Sequence, residues 1–491
     1  MERSSGVLLH ISSLPGEGGV GCMGGDAFRF VDFLAGTKQK IWQILPLGPV
    51  GYGNSPYQCY SAFAGNPLFI DIQQLKSDRL LSKKSVEDLH FKAGKVEFER
   101  VAEWKTGLFR EAFTGFQKNF SHFQSEYHVF MSHNSWWLDD YALFRALKSK
   151  NNESVWNTWQ KKLVKRDKHT LEEAFKELHS EIDYLRFLQF IFFRQWFKLK
   201  EYANTKGIRI IGDIPLYVSL DSVDVWANQD IFLLDSDSKP TKVGGVPPDY
   251  FSETGQLWGN PVFDWERVAD RDFDWWLARM HFNLRMFDLV RVDHFRGLES
   301  FWAVASEAKT AIVGDWLPAK GHNLFGKLKE QLGNLNVIAE DLGVITPEVE
   351  KLRDDYNLPG MKVLQFAFGS DATNENLPHN YSTNFLVYTG THDNDTSLGW
   401  FNSIDKKERR LLHKYIAGNG KQFVRNFIEE AWKSAAFMAI IPMQDVLGLD
   451  STARMNTPGT PSGNWDWRFS WPQIRQNNKV FLKQITEKYN R

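Results

Sequence analysis

Four stretches decide how this chain folds: RIIGDIP at residues 209–215, LVRVDH at 289–294, VIAEDLG at 337–343 and VYTGTHDND at 387–395. Each is a short apolar run that stops abruptly at an acid: Asp213, Asp293, Glu340 with Asp341, and Asp393 with Asp395. Uninterrupted apolar runs of this length fit strands buried on both faces, as in a parallel sheet. The full set of such runs is eight, at 7–11, 41–45, 208–211, 289–292, 337–339, 362–368, 385–388 and 436–441. Between most of them lie segments with apolar residues spaced by three and four, at 26–35, 184–203, 273–287, 324–331, 347–354 and 406–416. Thr346 followed by Pro347 reads as an N-cap and a first helical turn. Eight strands alternating with helices predict an α/β fold, a (β/α)8 TIM barrel.

Two gaps are too long for simple loops, so the 491 residues are expected to form one barrel carrying insertions after strands two and three. The first insertion, 75–183, is charged, helix-patterned and rich in Trp, and reads as a helical subdomain. The second, 213–270, holds a Gly/Pro-rich stretch at 244–261 that reads as a mobile substrate lid. The residues after the eighth run are too few for a C-terminal β-sandwich. Insertions at the C-terminal side of barrel strands are where such folds build their sites.

Composition removes several function classes. Lys and Arg number 59 against 60 Asp and Glu, for a net charge of −1, so no net positive field draws in nucleic acid or an anionic membrane. Two cysteines cannot form a disulfide framework, and the N-terminus has too short an apolar run for a signal segment, so a cytoplasmic protein is expected. Gly16 to Gly21 fit G-x-G-x-x-G, but Lys38 and Lys40 occupy the neighbourhood where the ribose-binding acid belongs and Pro15 opens the turn, so no dinucleotide site is expected. No P-loop or zinc-ligand spacing occurs, so neither metal nor cofactor is expected. The 38 Phe, 19 Trp and 14 Tyr are core residues in the main, with some available as flat walls for sugar rings.

The acids carry the chemistry. Adjacent strands lie about 4.8 Å apart, so the acids ending strands four and five can reach the ~5–5.5 Å separation of retaining glycosidases. Arg291 and Asp293 are two apart on one strand and share a face, and the guanidinium favours an ionised carboxylate. Glu340 follows Ile and Ala, and desolvation there raises a carboxyl pKa into the range of a general acid. His294 and His392 each adjoin an acid and are candidate hydroxyl binders.

At these motifs the sequence resembles the amylomaltases, or 4-α-glucanotransferases (disproportionating enzymes), a branch of the α-amylase-like barrels. The matching stretches are HISSLPG (10–16), GNSPYQCYSAFAGNP (53–67), GDIPLYV (212–218), PPDYFSETGQLWGNPV (247–262), RVDHFRG (291–297), IAEDLG (338–343), YTGTHDND (388–395) and MNTPGTPSGNWDWR (455–468). The resemblance implies Asp293 as nucleophile, Glu340 as general acid/base and Asp393, directly after His392, as transition-state stabiliser. It also implies glucan-binding roles for Ser55, Tyr57, Asp213, Asp249, Gln256, Trp258, Arg291, His294, His392 and Asn464. The expected donor is a maltodextrin or other α-1,4-glucan and the acceptor glucose or a glucan, with no cofactor. An α-1,4-glucan hydrolase, a catalytically inert glucan-binding protein and a metal-dependent barrel enzyme are the alternatives, in that order. Lid and chain end disfavour the first, and the three intact acids disfavour the second.

Overall fold

The computed structural model describes residues 2–82, 90–248 and 252–491. Eight strands form one parallel sheet: β1 (Ser4–Leu8), β2 (Ile41–Gln43), β3 (Arg209–Ile214), β6 (Leu289–Val292), β9 (Val337–Ala339), β10 (Gly360–Val363), β11 (Phe385–Tyr388) and β12 (Met438–Pro442). Their order is β10-β11-β12-β1-β2-β3-β6-β9. The two ends of that order meet, because Ala339 N donates to Pro359 O at 2.9 Å. The result is a (β/α)8 barrel, with strands buried on both faces as their unbroken apolar runs require.

Each of the eight apolar runs overlaps a barrel strand, with two shifts. The sixth run was expected at 362–368, but β10 ends at Val363 and a single 3-10 turn, Leu364–Phe366, follows. Val363 N donates to Asn376 Oδ1 at 3.0 Å, which takes the backbone out of the ladder there. The first strand starts earlier than hydrophobicity suggests, at the buried Ser4 and Ser5. Its ladder is set by backbone pairing with β12, to which side-chain polarity is a poor guide. Thr346 does stand at the N-cap before Pro347, but its side chain accepts no bond from the helix.

Long helices follow β2, at Phe98–Lys118, Phe120–Lys150 and His179–Thr205. The last of these runs unbroken across the boundary expected at 183. Aromatic contacts on opposite sides explain the continuity: Phe187 packs on Phe116 with ring centroids 4.9 Å apart, and Trp196, half a turn round, packs on Phe287 at 5.6 Å. The same helix therefore serves the inserted layer and the barrel. Most aromatics are core, including the fully buried Trp42, Trp156, Trp196, Trp226, Trp276 and Trp432.

The segment expected as a mobile lid is partly a sheet. β4 (Lys242–Val246) and β5 (Gln256–Pro261) pair antiparallel, and β7 (Ser300–Ala305) and β8 (Asp315–Pro318) extend them in the order β5-β4-β7-β8. Its glycines serve close approach: a Cβ on Gly244 would lie 2.5 Å from the Tyr217 ring, and one on Gly245 would lie 2.4 Å from Gln256 O. The partner strands come from beyond β6, so nothing local in 244–261 announces the sheet.

The β9–β10 seam rests on a buried ion pair. Arg353 Nη1 donates to Asp341 Oδ2 at 2.6 Å, and Met361 N donates to Asp341 Oδ1 at 2.7 Å. The two side chains are 10% and 3% exposed. Arg353→Met leaves that carboxylate buried without its cation and is expected to cost about 3 kcal/mol. Urea unfolding would check this, and a midpoint equal to that of the parent would contradict it.

Candidate active site

The acids meet at one end of the barrel because the strand registers align them. Asp213 lies opposite Arg291 across β3 and β6, and Val292 lies opposite Ala339 across β6 and β9. One residue beyond each ladder, Asp293 N donates to Ile214 O at 2.9 Å and Glu340 N to Val292 O at 3.1 Å. Both acids are therefore fixed by backbone bonds before any side-chain contact is made. The chain then turns sharply at His294, which is left-handed (φ 52°, ψ 48°). A non-glycine residue held in that region carries strain, as functional turns often do. The turn points His294 N at Glu340, which accepts it on Oε2 at 2.7 Å and accepts Leu342 N on Oε1 at 3.0 Å.

Arg291 is the hub. Its Nη1 donates to both Asp213 oxygens, at 2.8 and 2.7 Å, and its Nη2 donates to Asp293 Oδ1 at 2.8 Å. Tyr57 Oη donates to Asp213 Oδ2 at 2.6 Å. Asp213 is thus wholly buried and bonded within the protein, while the Asp293 side chain keeps 30% of its surface open. Sequence reasoning gave Asp213 a glucan-binding role; the structure sets it behind Arg291, holding the guanidinium.

The two central acids differ in what opposes burial. Burial pushes Glu340 up to about 8, with the Asp293 charge adding to the rise; Arg291 and the two backbone N–H bonds oppose it. Burial also raises Asp293, but the Arg291 guanidinium in direct contact pulls against it. The pair titrates as a unit. When it holds one proton, the proton belongs on Glu340, which lacks a touching cation. His294 is pushed down to about 3 by burial, with Arg296 contributing, and is a neutral imidazole.

Asp393 stands half-exposed beside these groups. Asn456 Nδ2 donates to its Oδ1 at 2.6 Å, Arg454 Nη2 donates to its carbonyl at 2.7 Å, and His392 Nε2 lies 3.4 Å from its Oδ2. Asp395 is tied to its own loop and to the segment after β12, accepting Thr396 N at 2.7 Å and Ser451 Oγ at 2.6 Å. Of the two acids in the HDND stretch, Asp393 has the freer carboxylate. Tyr57 stacks on His392 (centroids 5.2 Å, 16° between planes), and Trp465 packs at 5.9 Å from each. Trp258 meets the His294 ring edge-on at 4.8 Å, and its Nε1 donates to Gln256 Oε1 at 3.3 Å.

Other residues named from sequence stand differently. Ser55 Oγ accepts Tyr57 N at 3.3 Å, which shapes the loop that presents the tyrosine. Asn464 bonds within its own turn, accepting Thr457 N at 2.9 Å and donating to Thr460 Oγ1 at 3.0 Å. Asp249 lies outside the described residues. Sequence reasoning missed Asn456, Arg454 and Trp465 as neighbours of Asp393 and His392. They reach the site from the irregular segment after β12, where no periodicity marks them. Among the described residues, no group of three or more His, Cys, Asp or Glu side chains is placed to hold a metal ion, and no helix is long and apolar enough to cross a membrane.

Paired carboxylates on neighbouring barrel strands, a third acid and aromatic walls define the class: a barrel enzyme built for chemistry at a glycosidic bond. Comparison with known proteins narrows this. The family described as 4-alpha-glucanotransferase matches residues 9–474. A 4-alpha-glucanotransferase of Synechocystis sp. is 47% identical, covering 100% of this chain and 98% of its own. One of Thermus thermophilus is 46% identical, covering 99% of each. The solved amylomaltase of Streptococcus agalactiae in complex with acarbose superimposes with a TM-score of 0.97 at 39% identity, over 100% of both chains. The chain belongs to the 4-alpha-glucanotransferase family.

The raised pKa of Glu340 has a stability signature. Its protonated form is favoured by folding, so that contribution is complete below pH 4.5 and is lost as pH rises through about 8. Glu340→Gln is neutral at every pH, and its amide nitrogen forfeits one of the two backbone N–H bonds at a cost that does not vary with pH. Its thermal midpoint should therefore gain on the parent's as pH rises through that window, then keep a constant difference; a difference that does not change with pH would contradict the raised pKa.

Proposed function

We propose that this site transfers α-1,4-glucan segments by a retaining double displacement, with Asp293 as nucleophile, Glu340 as general acid/base and Asp393 as transition-state stabiliser. The observation that carries the assignment is the asymmetry of the two central acids. Asp293 touches a guanidinium at 2.8 Å that opposes the upward push of burial, while Glu340 is desolvated, has no such contact and is pushed up to about 8.

In the first half, Glu340 gives its proton to the bridging oxygen as Asp293 attacks the anomeric carbon. The C1–O bond breaks, the reducing-end fragment leaves with a free 4-hydroxyl, and a β-glucosyl ester forms on Asp293. In the second half, the Glu340 carboxylate takes the proton of an acceptor 4-hydroxyl, whose oxygen displaces Asp293 and restores an α-1,4 bond. Asp393, oriented by Asn456, faces the oxocarbenium-like sugar between the two steps. One such bond is exchanged for another, so no energy source or cofactor is required.

Favouring sugar over water needs walls that hold the acceptor and exclude solvent. Tyr57, His392 and Trp465 supply one wall, and Trp258 on β5 covers the opposite side as the lid residue. His294, neutral and beside Trp258, suits a sugar hydroxyl. The partners are then a maltodextrin donor and a glucose or glucan acceptor, and a cytoplasmic setting suits the two free thiols of Cys22 and Cys59.

Incubation with maltotriose tests the reading. The expected products are glucose and a ladder of longer maltodextrins, with the number of reducing ends constant. A steady rise in reducing ends with only shorter products would make the protein a hydrolase instead.

A further inference from the structure

A second, apolar patch borders the candidate site and takes no part in the chemistry above. Ile312, Val313 and Trp316 stand on the β7–β8 turn and on edge strand β8, and are 52%, 80% and 40% exposed. Val344, on the loop after Glu340, is 65% exposed. Single exposed apolar residues need no explanation, but a cluster beside a cleft does.

Contacts join Trp316 and Val344 to one another and to the site, and tie the turn that carries Ile312 and Val313 to the same sheet. Arg296, in the turn that follows Asp293, donates from Nη1 to the Val344 carbonyl and lies 3.8 Å above the Trp316 ring. Trp316 is paired with Trp302 across β7 and β8, with ring centroids 5.3 Å apart. Trp302 Nε1 donates to Ala311 O at 2.9 Å. Ala311 N in turn donates to Thr254 O at 3.0 Å, just ahead of the strand that carries Gln256 and Trp258. The surface is therefore continuous with the nucleophile turn, the acid/base loop and the strand of the lid residue.

Its chemistry is that of a neutral ligand's seat. Val243, Val304 and Ala311 make the small core of the second sheet, which leaves Ile312 and Val313 outside it. Two of the charges nearby are held back from the patch: Asp315 is bonded by Lys242 at 2.7 Å, and Arg296 is only 6% exposed beneath Trp316 and Val344; Glu307 and Lys309 stand exposed further back on the turn, one of each sign. Charges of both signs flank the patch and give it no net field, and a glucan, uncharged and with apolar C–H faces on its rings, matches the apolar side chains between them.

We propose that Ile312, Val313, Trp316 and Val344 form a ledge for the glucan chain beyond the cleaved bond, and that they bias the enzyme toward long chains. The proposal rests on the glucan-transfer reading above.

The test compares maltoheptaose with maltotriose as donors for the full-length parent, Trp316→Ala, Trp316→Phe and an Ile312→Ser/Val313→Ser double variant. The ratio of kcat/KM for maltoheptaose to that for maltotriose should fall about tenfold in Trp316→Ala, equivalent to losing the burial of part of one large side chain. The loss should sit in KM for the longer donor, Phe should restore most of it, and the double variant should lower the same ratio. An unchanged ratio in both Trp316→Ala and the double variant would overturn the ledge, as would equal losses on the two donors. A parent that forms no transfer products from maltotriose would overturn the transfer reading and the ledge with it.

Discussion

The site depends on one buried guanidinium. Arg291 is 4% exposed and answers two carboxylates at once, Asp213 through Nη1 and Asp293 through Nη2. Burying a cation is unfavourable unless anions and hydrogen bonds replace the water it loses, and removing one partner leaves the others uncompensated. Asp213, fully buried and bonded by Tyr57, supplies the fixed anion. That frees the second face of the guanidinium for Asp293, whose carboxylate stays partly open. The same cation has no direct contact with Glu340, and this difference sets the two acids apart: burial raises both, but only Asp293 has a touching guanidinium to oppose it.

The fold serves this arrangement by fixing backbones first. Ladder bonds extend one residue past β6 and β9, so Asp293 and Glu340 are placed by the register of the sheet. The left-handed His294 then turns its N–H onto Glu340. Elements far apart in sequence close the rest: Tyr57 from the loop after β2, Trp258 from the second sheet, and Asn456 and Trp465 from the segment after β12. A barrel suits such assembly, because every loop at one end faces the same point.

Sequence made the barrel and its acids legible because both leave local marks. A strand buried on both faces must be apolar throughout, and an acid at its end stands out against that run. RVDH and VIAED therefore placed Arg291, Asp293 and Glu340 without a structure. The second sheet left no such mark. β4 carries Gly244 and Gly245 for close packing against Tyr217 and Gln256, which reads locally as flexibility, and its partner β7 and the next strand β8 come from beyond β6. The same limit hid Asn456, which sits 63 residues from the Asp393 it orients. It also turned Asp213 into an expected sugar contact, since nothing in GDIP shows that Arg291 and Tyr57 occupy both of its oxygens.

The central claim is the location of one proton, and infrared difference spectroscopy of the resting protein reads it directly. Between parent and Glu340→Gln, a protonated carboxyl stretch should be present at neutral pH in the parent, absent in the variant, and lost from the parent with a midpoint near 8. A band that survives Glu340→Gln but disappears in Asp293→Asn would place the proton on the other acid and contradict the account.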